Sequence, residues 1–168
     1  MNDFMALALQ QARAAAARGE VPVGAVLVQD GRVVAAAGNR VEELTDPTAH
    51  AEILVLRQAA AAANSPRLGE CDLYVTLEPC PMCATAISFA RIRRVYFGAY
   101  DPKGGAVEHG PRLFEQATIH HRPEIYGGIE HGPRIFDHAT CHHRPEVIGG
   151  MAEAEAAELL RAFFRDRR

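Results

Sequence analysis

Three residues have the types and spacing of a catalytic zinc site: His50, Cys80 and Cys83. Zinc binds thiolates and imidazole nitrogens well, and three protein ligands leave the fourth tetrahedral position open for water. Both cysteines stand at the predicted start of a helix, where the helix dipole and free amide groups help to hold the sulfurs as thiolates. In a chain of 168 residues with only four cysteines, the Cys-x-x-Cys spacing indicates metal or redox chemistry rather than a disulfide framework.

A carboxylate stands close to the first of these residues: Glu52 follows His50 by two positions. A carboxylate beside a water activated by zinc can take its proton and later deliver it to a leaving group. On an ideal helix, positions i and i+2 do not share a face. Both side chains therefore reach one cavity only from an irregular first turn, which Asp46-Pro47-Thr48 indicates.

The same residues allow other interpretations. A closed structural zinc site would need a fourth ligand, for which Cys71 and Cys141 are available, although Cys71 heads a strand with the pattern of buried core. A non-catalytic zinc-stabilised fold that binds RNA or a partner subunit would have no need of Glu52. The pairs His120-His121 and His142-His143 could form a second metal site, but neighbours on an extended strand point to opposite faces.

The elements that must position these residues follow from the apolar pattern. In chain order the pattern predicts a helix capped at residue 2 or 3 and running to about 18, strands over 21–28 and 33–37, a helix opened by 46–48 and running to about 63, a strand over 73–77, a helix over 79–91, a strand over 94–99 and a closing helix over 153–165. Asp30-Gly31 is typical of a tight antiparallel hairpin. The later strand–helix–strand order predicts parallel neighbours in a layered α/β sheet.

Near the C-terminus the sequence repeats itself. Residues 108–129 and 130–151 are adjacent copies of one 22-residue segment and are identical at 15 positions. Two copies are too few for a repeat architecture, so the chain is predicted to be one domain, 1–168, with a local duplication inside it. The duplication also explains why seven of the eight histidines lie between His109 and His143. We expect one copy to pack on the body and the other to form a surface element outside the zinc pocket.

Length and composition exclude several classes of protein. The chain has 168 residues, 48% of them hydrophobic, and a net charge of −3, which excludes a disordered or fibrous protein. The longest uncharged stretch, 79–90, is too short to cross a bilayer as a helix. No basic region precedes an apolar run at the N-terminus, so we expect a cytoplasmic protein that does not contact membranes.

The sequence resembles the bacterial tRNA-specific adenosine deaminase (TadA) family of the cytidine/deoxycytidylate deaminase superfamily. His50-Ala51-Glu52 followed by Pro79-Cys80-Pro81-Met82-Cys83 matches the superfamily signature H-x-E…P-C-x-x-C. The segments that resemble the adenosine branch are 20–26, 39–40, 46–52, 77–80, 97–101, the loop 101–105 and the ending 163–168.

This resemblance implies a three-layer α/β/α cytidine-deaminase-like fold, with a central mixed sheet of about five strands flanked by helices. It implies zinc-dependent hydrolysis of adenosine to inosine at the wobble position of tRNA, with release of ammonia. One zinc ion per chain would be held by His50, Cys80 and Cys83, and Glu52 would move the proton. The expected partners are a tRNA anticodon stem-loop and a second copy of the chain in a homodimer.

The resemblance also implies substrate contacts. Asn39 matches an asparagine that hydrogen-bonds the flipped base, although a loop asparagine can instead satisfy backbone groups. Asp101 matches an acidic residue near the target ribose, although an Asp before Pro102 can simply form a turn. Lys103, the only lysine of the chain, could contact phosphate. Ala51, inside the signature, is carried over as a further substrate contact.

Two questions stay open at this level. The terminal arginines are expected to contact RNA: Arg161, Arg165, Arg167 and Arg168. The alternative function is a free nucleobase or nucleoside deaminase, acting on guanine or cytosine, because the zinc chemistry is the same. The C-terminal region distinguishes the two, since it closes over small substrates in some relatives and must stay open for RNA.

Overall fold

The computed structural model describes residues 4–127 and 153–165, which fold around a central sheet. The helices and strands are α1 (Phe4–Ala17), β1 (Gly24–Gln29), β2 (Arg32–Gly38), α2 (Val41–Leu44), α3 (Ala51–Ala63), β3 (Cys71–Leu77), α4 (Pro81–Ala90), β4 (Arg94–Ala99), a 3₁₀ turn (Leu113–Glu115), β5 (Glu124–Tyr126) and α5 (Glu153–Arg165). The predicted closing helix is thus confirmed, whereas the predicted cap at residue 2 or 3 lies outside the described residues. No helix in the described part of the chain is long and apolar enough to cross a membrane.

The sheet has five strands in the order β2-β1-β3-β4-β5. The strand β1 pairs antiparallel with β2 and β3, whereas β3, β4 and β5 run parallel. Asp30 and Gly31 join β1 to β2 with φ angles of 50° and 72°, the positive values that a tight two-residue hairpin requires. The mixed sheet confirms the predicted fold class, the hairpin and the parallel pairing across α4.

Helices cover both faces of this sheet. Val26 and Val28 of β1 point toward α1, whereas Leu27 and Leu73 point into the main core under α3 and α4. The helix α5 lies beside α1, over β3 and β4. A Cβ at Gly24 would collide with the α1 backbone, so this glycine allows the helix to lie directly on β1. The result is the expected order of helix, sheet and helix layers.

The two helices of the predicted metal site start later than expected. The sequence predicted a helix opened by Asp46-Pro47-Thr48, but α3 starts at Ala51 with His50 as its N-cap. Asp46 instead forms a turn, in which its Oδ1 accepts hydrogen bonds from the N–H and O–H of Thr48 at 2.8 and 2.7 Å. The helix α4 starts at Pro81 rather than at residue 79, with Cys80 as its N-cap.

Residues 101–127, the rim segment, contain little regular structure beyond the 3₁₀ turn and β5. Phe114 is buried in the main core, and β5 extends the sheet beside β4. Residues 108–127 belong to the first copy of the repeat, so that copy packs on the body. The second copy, 130–151, lies outside the described residues, and its predicted surface position stays a prediction.

A stack of tyrosines links the rim segment to the sheet. Tyr74, Tyr96 and Tyr126 occupy paired positions on β3, β4 and β5. Their rings are nearly parallel, with centroids 4.5 and 4.6 Å apart. Such cross-strand aromatic contacts stabilise neighbouring strands beyond the area they bury.

Candidate metal centre and substrate cavity

Two helix N-termini bring the three predicted metal ligands together. His50 caps α3 and Cys80 caps α4, while Cys83 lies in the first turn of α4. His50 Nδ1 is 3.7 Å from Cys80 Sγ and 3.6 Å from Cys83 Sγ. The three donor atoms, here called the donor set, all lie within 4.8 Å of one another.

The spacing of the donor set fits a tetrahedral zinc ion. Ordinary Zn–N and Zn–S bond lengths at a tetrahedral angle place nitrogen and sulfur about 3.6 Å apart, close to the observed separations. Within residues 4–127 and 153–165 no fourth ligand joins the cluster. Cys71 is buried at the opposite end of β3 from the Cys80 loop, and Cys141 lies outside the described residues. The described site therefore has the open form that catalytic zinc sites share.

Hydrogen bonds within the donor set favour a thiolate at Cys80. The contact with Cys83, helped by one with His50, lowers the pKa of Cys80 to about 4 despite its partial burial. The same contact raises the pKa of Cys83, because the shared proton stays on that sulfur. A divalent cation between the two sulfurs would favour both thiolates and replace that proton.

Glu52 lies next to the donor set in a dry environment, with 4% of its surface exposed. Burial raises the pKa of Glu52 to about 7. His50 is extended, with φ −69° and ψ 152°, so it leaves the helical path and both side chains line one cavity. This is the irregular first turn that the i, i+2 spacing requires. A carboxyl group that titrates near neutrality can both accept and return a proton, and a nearby cation would favour its ionised form.

A cavity of about 290 Å³ opens over the donor set, at the small end of the usual range for ligand pockets. Its lining residues are Gly19, Glu20, Val21, Val23, Asn39, Val41, Glu42, His50, Glu52, Leu77, Glu78, Cys80, Asp101 and Gly104. Among the described residues, the lining contains five carboxylates and no lysine or arginine. It therefore disfavours a phosphate group inside the cavity and suits a neutral ring.

The cavity contains some of the predicted substrate residues and leaves out others. Asn39 lines it and is 5% exposed, and its Oδ1 accepts a hydrogen bond from the Ala51 N–H at 2.8 Å. No hydrogen bond within the described residues uses the Asn39 Nδ2. Ala51 is fully buried and does not line the cavity, and Lys103 is exposed outside it. Asp101 lines the cavity and also forms a turn, accepting N–H groups of residues 103 and 104.

Two buried carboxylates of the cavity wall were missed by the sequence analysis. Glu20 accepts hydrogen bonds from the N–H groups of Glu42 and Glu43 at 3.3 and 2.9 Å, and so holds the start of α2. Burial raises the pKa of Glu78, but hydrogen bonds from Asp101 and His109 outweigh it and keep the pKa below its usual value. Both glutamates fall in segments that resemble the family, but their burial shows only in the fold.

The described arginines of the terminal cluster, and two arginines at β4, are paired with acids. Arg161 and Arg165 lie 3.1 and 3.7 Å from Glu158 on the same helix. Arg93 and Arg94 both pair with Asp72. The last two arginines, 167 and 168, lie outside the described residues. RNA contact by the terminal cluster stays a prediction.

Comparison with known sequences agrees with this site. Residues 1–99 match the family described as the cytidine and deoxycytidylate deaminase zinc-binding region. A tRNA-specific adenosine deaminase of Agrobacterium fabrum is 57% identical over 167 residues, covering 99% of this chain and 95% of the relative. One from Bacillus subtilis is 39% identical and covers 98% of this chain and 89% of the relative.

Solved structures show the same relationship. A structure from studies of A-to-I editing by tRNA:A34 deaminases at the wobble position of transfer RNA superposes with a TM-score of 0.79 at 56% identity, covering 94% of this chain and 98% of that one. A guanine deaminase of Bacillus subtilis superposes with a TM-score of 0.57 at 39% identity, covering 60% of this chain and 66% of that one. The chain therefore belongs to the tRNA-specific adenosine deaminase family of the cytidine and deoxycytidylate deaminase superfamily.

Proposed function

We propose that the protein converts adenosine at the wobble position of a tRNA anticodon to inosine and releases ammonia. The observation that carries this proposal is the open donor set with buried Glu52 beside it, in a cavity whose described lining holds no lysine or arginine. Similarity along nearly the whole chain to tRNA-specific adenosine deaminases supports the choice of substrate.

The reaction needs a metal and a proton carrier. His50, Cys80 and Cys83 would hold one zinc ion per chain, and a bound ion would supply the Lewis acidity that lowers the pKa of water. Glu52 takes a proton from the water that attacks C6 of adenine. The C6–O bond forms, Glu52 delivers the proton to the amino group, and the C6–N bond breaks to release ammonia. Burial keeps Glu52 able to do both near neutral pH.

The cavity lining favours a nucleoside entering from a nucleic acid. Asn39 lines the cavity and Ala51 holds its oxygen, so the amide nitrogen, which makes no hydrogen bond within the described residues, would donate to the base. Asp101 also lines the cavity and would contact the ribose. Because the lining is acidic, the phosphates of an anticodon loop stay outside, where Lys103 is exposed. Ala51 would position Asn39 through this hydrogen bond, and its own contact with the substrate stays a prediction.

The alternative, a deaminase of free guanine or cytosine, uses the same donor set and proton carrier. The structure of a guanine deaminase matches a smaller part of this chain, with a lower TM-score, than the tRNA:A34 deaminase structure. Those comparisons favour RNA as the substrate. Turnover of free guanine or cytosine with a wobble-adenosine stem-loop left unchanged would favour the alternative.

The deciding experiment measures inosine in an anticodon stem-loop that carries a wobble adenosine. We expect the unmodified protein to produce inosine, and Glu52→Ala to lose activity by more than about a thousandfold while bound zinc stays near one per chain. Glu42→Ala removes another carboxylate from the cavity lining, away from the donor set, and controls for the lost charge. Activity that survives in Glu52→Ala would refute its role, and an inactive unmodified protein with bound zinc would favour a non-catalytic zinc fold.

We also infer a homodimer from the outer face of α4. Phe89 is 68% exposed, and Ala86 and Met82 lie on the same face of the helix, one and two turns before it. Such an apolar stripe suits burial against a second copy of the chain. In this proposal residues 1–168 act as one deaminase domain in the cytoplasm, with the duplication as an insertion. Sedimentation of the unmodified protein and of Phe89→Ser measures the dimer.

A further inference from the structure

We propose that Glu78 is a positioning residue, whose carboxylate holds the cavity wall that carries Asp101 against the loop that carries Cys80. The proposal rests on the proposed deaminase function, since it names the group that sets the substrate side of the same cavity. Glu78 itself does not touch the donor set or the proton carrier in the arrangement described above.

The Glu78 side chain is fully buried and is surrounded by donors from one stretch of chain. Its Oε1 accepts hydrogen bonds from the backbone N–H groups of Val107, Glu108 and His109 at 3.1, 2.8 and 2.9 Å. Its Oε2 accepts the Asp101 N–H at 3.0 Å and contacts His109 Nδ1 at 2.7 Å. One carboxylate thus satisfies five polar contacts, all from residues 101–109.

Backbone contacts extend this link toward the donor set. The Glu78 N–H donates to the Ala99 carbonyl at 2.8 Å, and the Pro79 carbonyl accepts the Ala106 N–H at 2.9 Å. Glu78 stands two residues before Cys80, so these contacts join the loop that carries Cys80 to the rim segment over a short distance. The rim segment has little regular structure of its own, and these contacts replace the hydrogen bonds that a helix or strand would supply.

Gly105 shows how closely the chain wraps the carboxylate. A Cβ at this position would lie 2.6 Å from Glu78 Oε1 and 2.6 Å from the Asp101 carbonyl oxygen. Only a glycine allows the backbone to pass between these two groups. Asp101 is therefore fixed twice, by Glu78 at its backbone and by the turn at its carboxylate, whose Oδ1 accepts the N–H groups of residues 103 and 104.

Replacing the carboxylate tests whether it positions Asp101. Glu78→Gln places an amide NH₂ among N–H donors, so the cavity wall that carries Asp101 moves. The helix N-termini that position the donor set stay unchanged. Small displacements of a positioned group cost about a hundredfold in rate. We expect kcat/KM on the stem-loop to fall by about that factor, mainly through KM, while bound zinc stays near one per chain. Glu78→Asp, which keeps the charge on a shorter side chain, should recover part of the loss.

A matched control and a double variant separate positioning from folding. Asp72→Asn also removes a buried carboxylate, from the start of β3, whereas Glu78 follows the end of that strand, and it should leave KM unchanged. If Glu78 acts through Asp101, the losses of Glu78→Gln and Asp101→Asn should not multiply in the double variant. Fully multiplicative losses, or loss of zinc in Glu78→Gln, would overturn the proposal.

Amide hydrogen exchange gives a readout that is independent of activity. We expect the Asp101 amide, whose acceptor Oε2 becomes an NH₂ donor, to exchange at least about tenfold faster in Glu78→Gln and to be unchanged in Asp72→Asn. Unchanged exchange in Glu78→Gln would overturn the proposal even if the unmodified protein is active. If the unmodified protein makes no inosine, the proposed function fails, and the exchange result still decides whether Glu78 holds the wall.

Discussion

The donor set and the rim segment border the same cavity, but the contacts that hold them differ in their separation along the sequence. Each ligand of the donor set lies at the first turn of a helix, and residues next to it, such as Pro81 at the start of α4, favour that helix start. The rim segment is held by contacts 23 to 33 positions away in sequence, including Glu78 and Ser88. Damage to one region should therefore leave the other largely intact.

The largest effect is expected at the donor set. Cys80→Ala removes one of the three candidate metal ligands, so bound zinc and deaminase activity should both be lost, the latter by more than about a thousandfold, as for Glu52→Ala. Zinc bound per chain and inosine formation are the measurements. Cys71→Ala is the matched control, because Cys71 is a buried thiol on β3 outside the cluster. If Cys71→Ala lost zinc as well, the metal site would not be the one described.

A smaller effect is expected when the rim segment loses its anchor in the core. Phe114→Ala removes a buried ring from the main core, and we expect a loss of about 3 kcal/mol in the free energy of unfolding. Because the donor set depends on α3 and α4, zinc should stay bound while KM for the stem-loop rises. Urea denaturation and zinc content measure the two regions separately. Simultaneous loss of zinc would show that the regions are not independent.

The smallest effect is expected from removing either copy of the repeat. The second copy keeps identical counterparts of three contact residues: His131 for His109, Phe136 for Phe114 and His143 for His121. Deletion of 130–151 and deletion of 108–129 should therefore both leave a folded, zinc-binding protein. The latter replaces Tyr126 with Ile148 in the tyrosine stack, and should be less stable by about 1 kcal/mol.

Urea denaturation of the two deletion variants, side by side, measures that difference. Equal stabilities would mean that the tyrosine stack contributes nothing. Failure of the variant without residues 130–151 to bind zinc or to deaminate would show that the second copy contributes to more than the surface.

The sequence predicted those parts of the molecule that local chemistry determines. Only a few residue types bind zinc, so the cluster of His50, Cys80 and Cys83 could be predicted before the fold was known, and Asp30-Gly31 predicted the hairpin. The helix start at residue 46 was wrong, because Asp46 uses its carboxylate to close a turn instead of capping α3. An aspartate can accept hydrogen bonds from nearby N–H groups either in a turn or as a helix N-cap, so the sequence alone does not distinguish these two roles.

The missed elements depend on distant contacts. The helix α2 has four residues, and its first N–H groups are satisfied by Glu20, more than twenty positions earlier. The strand β5 has three residues, too few for a hydrophobic period to show. Glu20 and Glu78 could not be recognised either, since glutamates are usually solvated and their burial depends on donors from other parts of the chain.

The tyrosine stack gives the protein a built-in optical probe. The chain contains no tryptophan and four tyrosines, so its near-ultraviolet absorption, circular dichroism and fluorescence are dominated by tyrosine. Three of those four rings lie in the one stack, and only Tyr126 comes from the rim segment. Detachment of β5 would remove one ring from a coupled set of chromophores. The near-ultraviolet spectrum of the protein would therefore report whether the rim segment is attached, without a label. The donor set contains no chromophore of this kind and would not contribute to that signal.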